Sequence, residues 1–218
     1  MLFSGAPRAG SIQTSAGSTE MAEKIERRRN VVIVGIPGVG KSSVVNKIVE
    51  TLEKSGRSPK VVNYGSVMME QAALIFGVKS RDEMRKLPVE DQRTLQVHAA
   101  DYISKIESGY LIVDTHLFIS TPEGFWPGIP LDVLRALKPT HLILVSASMQ
   151  EIENRRLNDP SRNRDKLSRE QLSQELDVAK TLLFASSLVC GCPAMIVHNE
   201  EGRVEIAAEK IINAAFPV

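Results

Sequence analysis

The chain has 218 residues, of which 43% are hydrophobic and 24% charged, and its 27 Lys and Arg nearly balance 26 Asp and Glu for a net charge of +1. This length and composition suit one globular core of ordinary size. The balanced charge gives no global attraction to nucleic acid or to an anionic membrane, so neither is expected as a partner, and no apolar run approaches the ~20 residues that span a bilayer. Cys190 and Cys192, the two cysteines, are too few for a disulfide framework. Separated by a single residue, they are not expected to bridge each other and read as packing residues of a reducing, cytoplasmic setting.

Residues 1–29 read as a flexible N-terminal extension. Ser, Gly and Ala dominate up to Ser18, where Arg8 is the one charged residue, and the stretch from Glu20 to Arg29 is heavily charged, with Met21 an alternative start. Residues 30–218 form one domain of alternating strands and helices. An all-apolar strand at 31–34 meets Gly-Ile-Pro-Gly-Val-Gly-Lys-Ser at 35–42 and then an amphipathic helix at 42–55. That string is the phosphate-binding loop motif of nucleoside-triphosphate proteins, in its strand-to-helix context. Gly35, Gly38 and Gly40 let the backbone turn tightly around phosphate oxygens, and the helix N-terminus adds free N–H groups and the positive end of its dipole. Lys41 is placed to reach the terminal phosphates and Ser42 to ligate Mg²⁺.

A second strand is expected at 60–64 and a Met- and Ala-rich helix at 66–76, capped by Ser66 and closed by Gly77. A short charged helix at 80–86 and a long helix at 88–108 follow. The third strand, Tyr110–Asp114, ends on an acid in the position of a Walker B residue, which would hold Mg²⁺ opposite Ser42. Residues 121–130 read as a Pro- and Gly-rich loop. A short helix at 131–137, a fourth strand at 141–145, a helix at 150–158, a polar stretch at 159–166, a long helix at 168–188 opened by a capping pattern with Gln171, a fifth strand at 193–198 and a last helix at 204–215 complete the chain. This alternation predicts an α/β fold: a five-stranded parallel sheet flanked by helices on both faces. Ligands bind such sheets at the carboxyl ends of the strands, so Gly35, Gly65, Asp114 and Ser146 are expected to share one rim.

Arginines are the second signal. Arg81 and Arg85 lie four apart on one short helix, Arg155 and Arg156 follow the fourth strand, and Arg162 and Arg164 alternate in the polar stretch. Guanidinium groups grip phosphate through two donors at once and stay charged at any physiological pH. Two such groups on either side of Lys41 suggest two phosphate-bearing substrates beneath a closing loop that excludes water.

At this point the chain resembles the archaeal-type adenylate kinases. The resemblance rests on the phosphate loop together with Val-Asn-Tyr-Gly at 62–65, Arg-Asp-Glu-Met-Arg-Lys-Leu at 81–87, Val-Asp-Thr-His at 113–116, the Thr-Pro-x-Gly-x-x-Pro-Gly-x-Pro run at 121–130 and Ser-Arg-Asn-Arg-Asp at 161–165. It implies a P-loop kinase fold with a small monophosphate-binding insertion (66–108) and a short lid (158–167). It implies reversible transfer of the γ-phosphoryl group of Mg·ATP to AMP, giving two ADP, by a homotrimer. ATP would lie on Gly35, Ile36, Pro37, Gly38, Val39, Gly40, Lys41, Ser42 and Ser43, with Arg155 nearby. AMP would meet Gly65, Ser66, Arg81, Arg85 and Gly128, with His116 either touching a phosphate or serving as a structural imidazole. Lys41, Arg85, Arg162 and Arg164 would be catalytic, the last two arriving with the lid, and Ser42 and Asp114 would hold Mg²⁺. The chain departs from the commoner bacterial and eukaryotic pattern, which has Asp-Gly-Phe-Pro-Arg where this chain has Asp-Thr-His-Leu-Phe at 114–118. It also carries Met69 where an arginine is usual and lacks zinc-holding cysteines in the lid. Two rivals stand beside this reading. One is a kinase of the same fold for CMP, UMP or a non-nucleotide metabolite such as shikimate. The other is a nucleotide-dependent switch, although a GTPase would need Asn-Lys-x-Asp after a late strand, where Ser-Ala-Ser-Met stands at 146–149.

Overall fold

A computed structural model describes residues 28–121, 123–158 and 168–217. The extension up to residue 27 and the lid arginines Arg162 and Arg164 lie outside the described residues. Five strands form one parallel sheet: β1 (Arg29–Val34), β2 (Lys60–Asn63), β3 (Tyr110–Asp114), β6 (His141–Ser146) and β7 (Ala194–His198), in the spatial order β2-β3-β1-β6-β7. The central strand β1 is sealed, with Val31 to Val34 wholly buried, as its unbroken apolar run predicts for a strand covered on both faces.

The helices fall into two groups about this sheet. Helix α1 (Lys41–Lys54) packs on the last helix, α8 (Val204–Ala215), and its buried residues Val44, Val45, Ile48 and Leu52 repeat at helical spacing. The other group holds α4 (Val89–Ser104), α5 (Leu131–Leu137) and the long α7 (Arg169–Cys190), with α2 (Tyr64–Phe76) resting on α4. Two shorter helices complete the set: α3 (Arg81–Arg85), capped by Ser80, and α6 (Met149–Leu157), which opens with a reciprocal capping box between Ser148 and Glu151. Helix α7 opens the same way, with Ser168 and Gln171, as its sequence predicts.

Two local expectations need correction. Ser66 is not a helix cap. Helix α2 begins two residues earlier, and the side chain of Asn63 accepts the Ser66 N–H at 3.0 Å, because Asn63 sits at the strand end with extended backbone and carries the acceptor a helix start needs. The stretch 121–130 is not wholly a loop. An antiparallel ribbon of β4 (Phe118–Thr121) and β5 (Gly124–Pro127) occupies its first part, pinned by Phe118 and Phe125 packed edge to face at 4.8 Å between ring centroids.

Candidate active site

Parallel register builds the site. Asp114 pairs laterally with Ile33 of β1 and with Asn63 of β2, so the acid at the end of β3 stands between the start of the phosphate loop and the start of α2. Lys41, at the first turn of α1 and almost fully buried, forms an ion pair with Asp114 Oδ1. The Nδ2 of Asn63 donates to Asp114 Oδ2 at 3.0 Å, while its Oδ1 accepts from both the N–H and the hydroxyl of Ser66. One asparagine thus ties the acid to the neighbouring helix. Sequence reasoning passed over it, although its place at a strand end on the same rim was the available signal.

A cleft of about 700 Å³ runs from the phosphate loop across this point to α3 and the β4–β5 ribbon. Lys41, Ser42 and Asp114 line one end, and Arg81, Arg85 and Trp126 the other. Gly65 and Gly128 line it as well, so three of the four residues expected to share a rim, Gly35, Gly65 and Asp114, converge on it, whereas Ser146 is buried and its carbonyl accepts the Asn199 N–H. Ser43 sits exposed on the first turn of α1, and Val39 is buried with its side chain in the core. On the acceptor side the arginines are held loosely. Arg81 reaches the Ser66 hydroxyl at 3.4 Å, and Arg85 pairs with Asp82 at 3.0 Å on an open surface, an interaction worth little in water.

Arg155 and Arg156, expected from the sequence as phosphate-binding groups, are also held firmly by the protein. Arg155 donates to the carbonyls of Val39 (3.1 Å) and Asn199 (2.9 Å) and pairs with Glu201. Arg156 donates twice to the Pro37 carbonyl, at 2.9 and 2.7 Å, and reaches the buried carboxylate of Glu175 at 3.4 Å. Glu175 in turn accepts the Ser120 hydroxyl at 2.7 Å, so a chain of polar contacts joins the phosphate loop, α6, α7 and the ribbon. Buried Asn199, just past β7, adds a hydrogen bond to the Val39 carbonyl at 2.9 Å. These groups anchor the back of the loop through its carbonyls.

His116 also serves the loop. Its Nδ1 lies 2.8 Å from the Gly35 carbonyl. A carbonyl only accepts, so Nδ1 carries the proton, and in the neutral ring Nε2 is then an acceptor, as a phosphate oxygen is. Beneath the acceptor side, buried Tyr64 donates its hydroxyl to the Gln96 carbonyl at 2.6 Å, and desolvation drives its ionisation well above the ordinary range. The Gln96 amide donates to the Pro127 carbonyl at 3.0 Å and fastens the ribbon to α4.

Comparison with known proteins completes this picture. A family model described as an AAA domain matches residues 34–173. An adenylate kinase of Sulfurisphaera tokodaii is 40% identical over 188 residues, covering 84% of this chain and 97% of that protein. One of Methanocaldococcus jannaschii is 37% identical over 187 residues, covering 85% and 97%. The chain belongs to the adenylate kinase family. Its relatives there are archaeal, in line with the resemblance seen in the motifs. A solved shikimate kinase from Acinetobacter baumannii in complex with shikimate superposes with a TM-score of 0.57 at 16% identity, covering 87% of this chain and 93% of that one, which speaks for the shared fold alone. In this chain the phosphate loop, the acid at the end of β3 and the Arg81–Arg85 pair line one cleft. Among the described residues, no helix is long and apolar enough to cross a membrane.

Proposed function

We propose that this protein transfers the γ-phosphoryl group of Mg·ATP reversibly to AMP, giving two ADP, as a homotrimer in the cytoplasm. The observation that carries the proposal is a single cleft with a phosphate loop, Lys41 and Asp114 at one end and two loosely held arginines, Arg81 and Arg85, at the other. One end suits a triphosphate and the other a monophosphate, and both open on the same cleft. Helices within 66–108 are the monophosphate-binding insertion, and 158–167 the lid that brings Arg162 and Arg164.

The attacking group is an oxygen of the AMP phosphate, already anionic at neutral pH, so no general base is needed. What remains is alignment and charge neutralisation. Lys41 supplies a cation with little exposure to solvent, where its field is weakly screened. The loop N–H groups and the α1 dipole hold phosphate oxygens. Arg85, whose guanidinium pairs with exposed Asp82, can exchange that partner for the acceptor phosphate at little cost. The hydroxyl of Ser42 and the carboxylate of Asp114 are hard oxygen donors of the kind Mg²⁺ takes, and both line the cleft, so they fit as its holders. The ion supplies charge neutralisation across the phosphate oxygens when bound.

An acceptor panel tests this. Purified protein is mixed with Mg·ATP and each of AMP, CMP, UMP and shikimate, and diphosphate formation is followed by chromatography. ADP in twofold yield with AMP alone is expected. Preferred turnover of another acceptor would overturn the AMP assignment and leave the phosphate loop in place. Light scattering on the same preparation tests the trimer.

A further inference from the structure

The two cysteines do more than pack. Cys190 is the last residue of α7, and Gly191 caps that helix in the left-handed region (φ 66°), reversing the chain so that Cys192 returns beside it. Their sulfurs lie 3.0 Å apart, roughly 1 Å beyond a disulfide bond. Ser187 holds the turn closed by donating its hydroxyl to the Cys192 carbonyl at 2.6 Å and accepting the Gly191 N–H at 2.9 Å. The two thiols are unequal: Cys192 is buried and Cys190 is half-exposed. Cys190 also lines a cavity of about 270 Å³ with Leu134, Arg135, Lys138, Pro139 and Val189, which places a half-exposed cysteine, two cations and apolar walls together. Arg135 is 3.5 Å from Asp132, but both are solvated, so the guanidinium stays available to another anion.

We propose that Cys190 and Cys192 form a reversible dithiol–disulfide pair that reacts with small disulfides bearing carboxylates, with Cys190 as the attacking sulfur and Cys192 as the resolving one. Cys190 loses its proton to solvent and attacks one sulfur of the small disulfide. The S–S bond of the reagent breaks, one small thiolate leaves and takes a proton, and a mixed disulfide forms on Cys190. Cys192 then gives up its proton and attacks the Cys190 sulfur, and the second small thiol leaves. In total, two protein thiols are oxidised and one small disulfide is reduced to two thiols. Burial and the adjacent Cys190 thiol hold the Cys192 thiol well above its ordinary ionisation range, in keeping with its acting second. Arg135 and Lys138 would receive the carboxylates of the reagent. Cys192 precedes β7, whose far end, His198, pairs with Ser146 at the carboxyl end of β6, the end of the sheet from which the phosphate loop leaves β1. The pair therefore lies at the opposite edge of the sheet from the cleft, and its oxidation leaves the phosphate loop untouched.

Glutathione disulfide is the probe, applied to the full chain and quenched in acid for intact-mass analysis. The expected product is lighter by two hydrogens and carries no glutathione, with phosphoryl transfer unchanged. Cys192→Ala should accumulate one glutathione adduct, mapped to Cys190, and Cys190→Ser should take none. Should a variant fail to fold, peptide mapping of the early-quenched parent protein locates the mixed disulfide without it. The Arg135→Ala, Lys138→Ala double variant should react roughly tenfold more slowly with glutathione disulfide yet normally with uncharged 2-hydroxyethyl disulfide. A native protein inert to glutathione disulfide while its unfolded form reacts, an adduct on Cys192, or a disulfide linking two chains would overturn the pair. Equal slowing with both reagents would overturn the role of the two cations.

Discussion

A single methyl group at Gly128 is expected to disable acceptor binding. The Gly128 N–H donates to the Leu117 carbonyl at 2.8 Å, closing the ribbon on the segment after β3. A Cβ there would press into the His116 carbonyl oxygen, with the His116 carbonyl carbon at 3.1 Å and that of Leu117 at 3.3 Å. All three are backbone atoms, so no side chain can swing aside. His116 is held by its ring bond to Gly35, and Thr115 by its N–H to the Ile33 carbonyl at 3.1 Å, so the ribbon must give way, by roughly 1 Å. Overpacking of this kind costs about 1–3 kcal/mol, which lowers Tm by about 2–12 °C in a domain of this size. A misplacement of ~1 Å in a substrate-positioning wall can lower kcat/KM by up to ~100-fold. Gly128→Ala should therefore raise KM for AMP and lower Tm together, while affinity for an ATP analogue, set by the phosphate loop, changes little. Thermal melting and a coupled assay with AMP varied at saturating ATP read both. A Tm within about 1 °C of the parent with an unchanged KM for AMP would refute the close-approach reasoning.

Lys41→Met should reduce kcat by about 10³-fold or more, equivalent to about 4 kcal/mol of lost transition-state stabilisation, with native circular dichroism retained; turnover within tenfold of the parent would remove Lys41 from the chemistry. Arg85→Ala deletes one charge-assisted contact worth about 1.5–3 kcal/mol, so KM for AMP should rise by about 10–150-fold with a smaller change for ATP, and an unchanged value would move the acceptor phosphate elsewhere. His141 is held below its ordinary ionisation range first by desolvation and then by Arg29. Its unfolded form therefore binds protons that the folded form refuses, and stability is lost as pH falls through the ordinary histidine range near about 6.5. His141→Gln should flatten the Tm-against-pH curve between about pH 5 and 7, and an unaltered slope would assign it to other groups.

The sheet and its rim could be read from the chain because β1, β3 and β6 are buried runs whose composition admits little else. The phosphate loop could be read because its chemistry demands particular residues at fixed spacing. Asn63 was legible in principle, as a strand-end residue beside Asp114, but Ser66 offered an equally ordinary cap and local sequence does not rank them. The ribbon of Phe118–Thr121 and Gly124–Pro127 was hidden by its shortness. Four-residue strands carry too few alternations to stand out, and their pairing depends on Phe118 meeting Phe125. The work of Arg156, Glu175 and Asn199 could not be read at all, since it exists only once α6, α7 and β7 are brought together. Guanidinium chemistry points to phosphate, and the structure ties Arg155 and Arg156 to carbonyls of the loop while Arg155 also lines the cleft, as its expected place near ATP requires.

Arg156 and Glu175 also bear on how the chain can be re-engineered. Residues 159–167 leave from α6 and return to α7. Both stems are tied independently of them: Arg156 to the phosphate loop, Glu175 to Arg156 and Ser120, and Arg169 by a two-pronged contact to Glu153 at 3.0 Å. Helix α7 also supplies its own start through Ser168 and Gln171. The two stems thus form a socket braced by contacts of its own. Segments of different length and charge can be exchanged between Asn158 and Ser168 while the frame that receives them stays in register, which makes this the natural place for a modular swap between relatives.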